Sequence, residues 1–271
     1  MENLSAIFFT ISLFIYLFAT VFYIIYTALK RDILGNIATI LLGIGLVVQT
    51  IALILRTREA GHFPFIDTYE TLVFWSWLIG IIFLILQFKF KIKPFGVLIT
   101  PLVFLIIAIA SILPSGYQRS SLLVPALQSH WLEIHISTCF ISYACFAISF
   151  IVSIAYLFKR GNNPEDILRK DKLDMIGYKT ISIGFPFLTL GIITGSIWAN
   201  VAWGSYWSWD PKETWALVTW FIYAIYLHLR IFAKWKGRSS AIASIIGFIA
   251  VLFTFIGVSF LLPGSHSYLK N

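Results

Sequence analysis

The sequence predicts an all-α integral membrane protein with eight transmembrane helices. Of its 271 residues 59% are hydrophobic and only 12% are charged, and the mean hydropathy is +0.88. Because about a quarter of the residues in a soluble domain are charged, the composition excludes an ordinary soluble fold. A helix needs about 20 apolar residues to cross a bilayer. Eight stretches meet this need, at residues 6–29, 33–55, 69–88, 95–113, 131–158, 178–201, 212–233 and 241–262.

No long polar stretch interrupts these segments, so we predict a single integral membrane domain over residues 1–271. The first segment has no preceding basic residues and no following small-residue cleavage site, and we interpret it as a retained helix. The connection 161–178 mixes charged and apolar residues in a loosely amphipathic pattern. We predict a helix on the membrane surface there, which begins at Pro164 behind an Asn163 cap.

Lysine and arginine are divided unequally between the two sets of connections. One set holds fifteen of them, whereas the other set, which includes both termini, holds five. Cytoplasmic loops of membrane proteins are enriched in these residues, so both termini and the connection 202–215 are predicted to lie on the extracytoplasmic side. The lipid bilayer and this topology account for the net charge of +8. No nucleic-acid partner is needed to explain it.

Four of the ten tryptophans fall in the thirteen residues WGSYWSWDPKETW. Trp203, Trp207 and Trp209 alternate with Gly204 and serines, a composition too polar for a helix in lipid. Single tryptophans are common at membrane interfaces, where the ring lies among the headgroups, and this explanation holds for any one of them. Their crowding, with Trp215 close by, favours instead an extracytoplasmic platform at residues 202–215 for a flat ligand.

The same stretch carries the signal of a helix start. Asp210 is predicted as the N-cap, Pro211 as the first helical residue and Glu213 as the partner in a capping box. The aromatic residues therefore lie on a loop that is fastened to the beginning of a helix.

Two further motifs are assigned to structure. Gly191 and Gly195 form a GxxxG pattern, which permits close helix packing and is expected to serve packing inside the bundle. Cys139 and Cys145 form neither a CxxC pair nor a CxxCH heme-attachment motif. The chain is therefore not itself a c-type cytochrome.

Several stretches, taken in order, carry a resemblance that spans nearly the whole chain. They are GHFPFIDTYET (61–71), VPALQSHWLEIHISTCFISYA (124–144), GFPFLTLGIITGSIWA (184–199), the tryptophan stretch with WDPKETWAL, IYLHLR (225–230) and HSY (266–268). In these stretches the chain resembles the tryptophan-rich (WWD) heme-handling membrane proteins of cytochrome c maturation. Among them it is most similar to the CcsA (ResC-like) proteins.

Two histidines are predicted at the outer membrane face. His135 lies one turn into segment five and His266 lies just past segment eight. A neutral imidazole is an axial ligand of heme iron, and two at one face can bind one iron from opposite sides. Two hydrated interfacial histidines without a shared ligand are the alternative. The resemblance implies that both are outer heme ligands, in WLxxH and before SY.

The other three histidines differ in depth and context. His228 stands thirteen residues beyond Trp215, about 20 Å along a helix, in the inner half of the membrane. A packed structural histidine is one interpretation, whereas the resemblance implies a transmembrane heme ligand whose opposite ligand belongs to a CcsB-like partner. His130 is five residues before His135 and faces another side of the helix. His62 is interpreted as structural or as support for a ligand.

The resemblance implies the function. The chain would transport heme b across the membrane and present it to apocytochrome c, in system II of cytochrome c maturation. With a CcsB-like partner it would be the membrane subunit of a holocytochrome c synthase, which joins heme to the CxxCH motif. Trp203, Gly204, Trp207, Trp209, Asp210 and Trp215 would bind the heme. Lys212 or Arg119 is a candidate partner for a propionate.

No side chain stands out as a general acid or base, so no catalytic residue is assigned. Two alternatives remain, a heme chaperone of the CcmC type and a small-molecule transporter that binds no heme. The expected location is the bacterial inner (cytoplasmic) membrane, or the thylakoid membrane if the chain is encoded in a plastid.

The predicted topology is tested by reporter fusions. Fusions after Lys93 and Arg238 are expected to report the cytoplasm, because these residues lie in connections rich in Lys and Arg. A fusion after Lys270 is expected to report the extracytoplasmic side. A cytoplasmic signal from the fusion after Lys270 would contradict the predicted topology and the predicted outer site.

Overall fold

The computed structural model describes residues 4–65, 67–113, 128–159, 164–262 and 264. Within these residues the chain is helical and contains no strand, which confirms the predicted all-α class. The chain divides into two compact units, Met1–Leu123 and Val124–Asn271. Each unit is described by itself, and the single domain over residues 1–271 stays a prediction.

All eight predicted spanning segments are present as helices that are long and apolar enough to cross a membrane. The first unit contains α1 (Leu4–Leu29), α2 (Asp32–Ala60), α3 (Thr68–Phe90) and, after a 3₁₀ turn at Lys93–Phe95, α4 (Gly96–Ile112). The second contains α5 (His130–Phe158), α6 (Pro164–Trp203), α7 (Pro211–Ile231) and α8 (Arg238–Leu252). A π-helical turn at Phe253–Gly257 joins α8 to α9 (Val258–Leu261), and these three elements form the eighth span.

The prediction of a separate surface helix in the connection 161–178 is wrong. A helix does begin at Pro164, but it continues without a break through all 40 residues of α6. Two apolar residues of this part of α6, Leu173 and Ile176, are buried, whereas Ile167 and Leu168 are exposed. Gly177 faces the side chains of Ser149 and Val152 on α5. The buried side of the amphipathic pattern therefore belongs to the packing of α6 within the unit.

Buried amide side chains hold the first unit together. Gln49 of α2 accepts a hydrogen bond from Tyr16 of α1 at 2.6 Å and donates one to Ser76 of α3 at 2.9 Å. Gln87 of α3 likewise accepts from Tyr23 of α1 at 2.7 Å. A polar group inside a membrane bundle is costly unless it is paired, so these bonds fix how α1, α2 and α3 pack.

Helix α2 extends to Ala60, five residues beyond its predicted end, because Arg56 is not a solvated terminal residue. Arg56 is only 1% exposed, and its Nε donates to the Glu70 carboxylate of α3 at 2.9 Å. Asp67, the residue before α3, lies 3.9 Å from the same guanidinium group. The ion pair allows the apolar helix to include a charged residue.

Glycines along α6 let it pack closely against α5. A Cβ added at Gly184 would lie 2.9 Å from Cys145, one at Gly191 would lie 2.5 Å from the Cys139 sulfur, and one at Gly195 would lie 2.6 Å from the His135 ring. Gly177, Gly184 and Gly191 are spaced by seven residues and therefore lie on one face of the helix. This confirms the packing role predicted for Gly191 and Gly195.

An ion pair fastens the end of the second unit that is opposite the tryptophan loop. The Arg230 guanidinium donates to both oxygens of Asp174, at 2.9 and 2.5 Å. The same carboxylate accepts the backbone N–H of Gly237 at 2.9 Å. Asp174 thus joins the beginning of α6, the end of α7 and the beginning of α8.

Replacing Asp174 by Asn is expected to destabilise the second unit. The amide cannot neutralise Arg230, whose side chain is only 8% exposed, and breaking a pair of this kind costs about 3 kcal/mol. The midpoint of thermal unfolding in detergent should fall. Asp171→Asn is the matched control, because Asp171 is exposed. Equal midpoints for the two variants would contradict the assigned role.

Candidate functional site

The tryptophan loop begins where a glycine ends α6. Gly204 has a φ of +77°, the left-handed conformation that commonly terminates a helix, and its N–H donates to Asn200 O at 2.9 Å. Helix α7 begins at Pro211, as predicted, so residues 204–210 connect the two helices.

A capping box holds the other end of the loop, as predicted for Asp210 and Glu213. The Asp210 carboxylate accepts the Lys212 N–H at 3.0 Å. One oxygen of Glu213 accepts the backbone N–H groups of Ser208, at 2.8 Å, and of Asp210, at 3.2 Å. These two N–H groups flank Trp209, so a single carboxylate constrains both of its neighbours.

Trp209 adopts a strained backbone conformation, with a φ of +60°. A bulky side chain in this region is rare and costs about 1–3 kcal/mol. Such strain persists only where surrounding contacts impose it, and here the bonds to Glu213 do so. The result is a ring that is 68% exposed in a defined position.

The exposed rings of the loop do not share one plane. Trp203 and Tyr206 are exposed, as is Trp209. The rings of Trp207 and Trp209 lie 5.7 Å apart at an interplanar angle of 89°. Aromatic pairs favour such edge-to-face contacts because of their quadrupoles. A flat ligand that stacks on one of these two rings would therefore meet the other ring by its edge, unlike the single flat face that the sequence suggested.

Trp215 occupies a different environment from the loop tryptophans. It lies inside α7, and its ring centroid is 4.4 Å from that of Phe253 in the π-helical turn. The Trp215 carbonyl also accepts the hydroxyl of Thr254 at 3.2 Å. The structure thus places Trp215 at the contact between α7 and the eighth span.

His135 is the histidine that the structure brings to the tryptophans. Its Nδ1 lies 2.7 Å from the Gly191 carbonyl oxygen. Since a carbonyl only accepts, Nδ1 carries the proton, and in the neutral ring the lone pair is on Nε2. The imidazole is nearly parallel to Trp198, at 11° and 6.3 Å between centroids. Trp198 in turn contacts Trp203 edge-on at 4.8 Å.

His266 and Arg119 lie outside the described residues. The nearest described residue before His266 is Gly264, whose backbone lies against the tryptophan loop. A Cβ added at Gly264 would lie 2.5 Å from the Asp210 carboxylate and 3.0 Å from Pro211.

Lys212 carries its ammonium group into the second unit. Nζ donates to the Ser259 hydroxyl of α9 at 3.2 Å, and the side chain is half-buried. Within electrostatic range of this ammonium lies Cys139, whose sulfur is 3.7 Å from His135 Nδ1. Lys212 and His135 therefore approach the same region of the unit from different helices.

His228 is exposed and not packed inside the unit. Its ring contacts Phe232, with centroids 4.7 Å apart. Phe221, Ile225 and Phe232 are also exposed, and their spacing places them with His228 on one face of α7. This helix buries the smallest share of its apolar window among the eight spans, 17%. The packed-histidine interpretation does not fit this position.

The two remaining histidines have other partners. His130 is exposed, and its Nδ1 lies 3.1 Å from Glu133. His62 belongs to the first unit and its Nδ1 bonds to Phe63 O at 2.9 Å. Nearby, burial raises the pKa of the Asp67 carboxyl, and the Glu70 carboxylate raises it further, whereas Arg56 lowers it. His62 also acts electrostatically on Asp67 and therefore belongs to this polar cluster.

Sequence reasoning missed the residues that position His135 and Lys212. Neither the carbonyl of Gly191 nor the hydroxyl of Ser259 was singled out. Gly191 was recognised only as a packing residue, although the close approach it permits is what brings its carbonyl to His135. Trp198 lies in one of the stretches that carry the resemblance, but it was not assigned to the site. Its position about one and a half helical turns before Trp203 was the available signal.

Comparison with known proteins defines the class. Residues 65–266 match the family model described as Cytochrome C assembly protein. The chain therefore belongs to the cytochrome c assembly family. Three relatives in that class are cytochrome c biogenesis proteins CcsA.

The CcsA protein of Chlamydomonas reinhardtii is 42% identical over 240 residues, which cover 86% of this chain and 68% of the relative. That of Mesostigma viride is 40% identical over 270 residues and 88% of each chain. That of Prochlorococcus marinus is 38% identical over 266 residues, covering 86% of this chain and 84% of the relative.

A solved structure shows the same fold. The cytochrome c heme lyase CcmF aligns with a TM-score of 0.66 over 93% of this chain, at 16% identity. The aligned part is 46% of the CcmF chain, so this chain spans about half of that protein. At this identity the similarity establishes the arrangement of the helices, and the fold is that of an integral membrane protein.

Replacing Gly195 by Ala is expected to disturb His135. The new Cβ would lie 2.6 Å from the ring atoms Cε1 and Nδ1, so the imidazole must move and its bond to Gly191 must weaken. Overpacking of this kind costs about 1–3 kcal/mol, which thermal unfolding in detergent will measure. Gly43→Ala is the control, because nothing lies within 4 Å of its Cβ position. Unfolding midpoints that change equally would contradict the close contact.

Proposed function

We propose that this chain is the heme-transporting and heme-presenting membrane subunit of a cytochrome c maturation system. It receives heme b near the end of α7 that carries His228, and it presents heme at the tryptophan loop for attachment to apocytochrome c. Membership of the cytochrome c assembly family and the CcsA relatives support this role. They argue against the transporter that binds no heme, and the CcsA names argue against a chaperone of the CcmC type.

The observation that carries the proposal is the geometry of His135. Donation of Nδ1–H to Gly191 fixes both the tautomer and the ring plane. Ligating histidines typically donate their other ring N–H to an oxygen in this manner, which orients the ring and makes the ligating nitrogen more basic. The Nε2 lone pair of a neutral imidazole suits an iron. The exposed Trp203, which contacts Trp198 beside the imidazole, supplies apolar surface for a porphyrin.

His266 is proposed as the second axial ligand. Gly264 lies against Asp210 and Pro211 at the base of the loop, and two extended residues span at most about 7 Å. We propose that His266, two residues beyond Gly264, reaches the loop at which His135 stands. Two imidazoles with a porphyrin between them complete an iron coordination sphere without a larger cluster of protein ligands. Among the described residues, no three His, Cys, Asp or Glu side chains converge as a metal site.

His228 is proposed as one half of a second heme site, shared with a partner membrane protein of the CcsB type. An exposed imidazole among Phe221, Ile225 and Phe232 is a polar group on an apolar helix face. Ionisable groups at such positions are costly and are typically functional. Among the described residues the His228 side chain has no hydrogen-bond partner, so an occupant of this face would satisfy it.

Thioether formation adds each cysteine thiol of a CxxCH motif across a vinyl double bond, so that sulfur bonds to one carbon and a proton to the other. The residues of the chain would position the heme and shield part of it. His135 and His266 would hold the iron, and the loop tryptophans would cover part of the porphyrin. Catalysis would then arise mainly from proximity. No general acid is required from Asp210 or Glu213, since both carboxylates serve the capping box.

The proposed location follows from the relatives and the predicted topology. The CcsA relatives come from algae with plastids and from cyanobacteria. The thylakoid membrane or a bacterial inner membrane fits this set, with the tryptophan loop on the extracytoplasmic side where apocytochrome c is matured.

Glycine variants of the histidines test the route. His135→Gly and His266→Gly are expected to lose low-spin heme absorption and maturation activity, and added imidazole should restore part of both by entering the open axial position. His228→Gly should lower the heme content although the outer ligands are intact. The measurements are heme content and reduced spectra of the protein purified with its partner, with and without imidazole.

His130→Gly is the matched control, because His130 is an exposed histidine on the same helix as His135. It should retain heme and activity. Full heme content in His135→Gly would overturn the outer site. Full heme content and maturation in His228→Gly would remove the transmembrane site and leave the outer site standing.

A further inference from the structure

We propose that Lys212, held by Ser259, is the carboxylate-binding residue of the outer site and sets the orientation of the bound heme. This inference rests on the proposed function, since it takes heme as the ligand of His135. It adds a recognition point for the propionate edge of the porphyrin and hence a direction for the vinyl edge.

The ammonium group of Lys212 is held in one position inside the unit. Lys212 is the second residue of α7, yet Nζ reaches the Ser259 hydroxyl on α9 at 3.2 Å instead of extending into solvent. Ser259 is 2% exposed. A flexible lysine held by a buried hydroxyl presents its charge in one place, which is what recognition of an anionic group requires.

In the part of the chain that the structure describes, few groups balance the charge of Lys212. An ammonium group has three N–H donors, and among the described residues the bond to Ser259 is its one hydrogen bond. No described carboxylate lies within ion-pair distance of it. The two acidic residues of the same segment serve the helix cap, since Asp210 accepts the Lys212 backbone N–H and Glu213 accepts two other N–H groups. The Asp210 carboxylate acts on the ammonium electrostatically but forms no ion-pair contact with it, so among the described residues the charge has no direct ion pair, and a carboxylate of a ligand would supply one.

Lys212 and His135 both lie near Cys139. The Cys139 sulfur lies 3.7 Å from His135 Nδ1, and it is also within electrostatic range of the Lys212 ammonium. The proposed iron ligand and the ammonium group thus both lie in the neighbourhood of Cys139. A porphyrin bound through its iron to His135 has both carboxylates on one edge, and this edge can lie toward Lys212.

A consequence follows for attachment of the heme. The vinyl groups occupy the half of the porphyrin away from the propionates. A heme whose propionate is bound by Lys212 would turn its vinyl groups away from the α7–α9 contact. Binding of the propionate edge would then hinder rotation of the porphyrin about the bond between its iron and His135, and would hold the vinyl edge toward one side.

The test compares hemin with hemin dimethyl ester, in which the propionates are neutral. The purified full-length protein with its partner should bind hemin more tightly than the ester. Lys212→Gln, which keeps a donor for Ser259 but removes the charge, should weaken hemin binding about tenfold, the scale of one charge-assisted hydrogen bond. It should leave the affinity for the ester unchanged.

Two further variants complete the design. Lys212→Arg keeps the charge and should keep the preference for hemin. Lys236→Gln removes a lysine at the opposite end of the unit and should behave as the unchanged protein. Equal affinity of the unchanged protein for hemin and its ester, or a preference that survives in Lys212→Gln, would overturn the inference while leaving heme binding by His135 intact. A protein that binds neither compound would overturn the proposed function as well.

Discussion

The geometry of the tryptophan loop depends on the Glu213 carboxylate. By accepting the N–H groups of Ser208 and Asp210, it fixes the chain on both sides of Trp209 and sustains the left-handed conformation of that residue. The same oxygen compensates an N–H at the start of α7, where the helix lacks internal acceptors. A short polar network thus gives a surface of large exposed rings a defined shape.

The packing of α6 against α5 in the second unit orients His135, the other part of the proposed site. The glycines of α6 remove the side chains that would separate it from α5, and the Gly191 carbonyl thereby reaches His135. In a bilayer, close backbone approach is a main source of helix association because burial from lipid gains little. The packing that stabilises the unit is therefore also the packing that orients the proposed ligand.

Sequence patterns predicted the parts governed by local rules. Apolar length located the eight spans, and the Asp210–Pro211–Glu213 signal located the start of α7, because both depend on neighbouring residues. The continuation of α6 through charged turns was missed, since it depends on the Asp174–Arg230 pair and on contacts of Leu173 and Ile176 with other helices. The perpendicular rings of Trp207 and Trp209, and the reach of Lys212 to Ser259, likewise depend on tertiary geometry.

The exposed position of His228 has a consequence for the life of the chain before assembly. A copy inserted alone presents an imidazole on an apolar helix face to hydrocarbon, where a polar side chain is poorly solvated. Association with any partner that satisfies this nitrogen relieves the penalty, whereas an orphan copy keeps it. Unassembled subunits in the bilayer would thus be less stable than assembled ones, which would keep the two subunits at a fixed ratio.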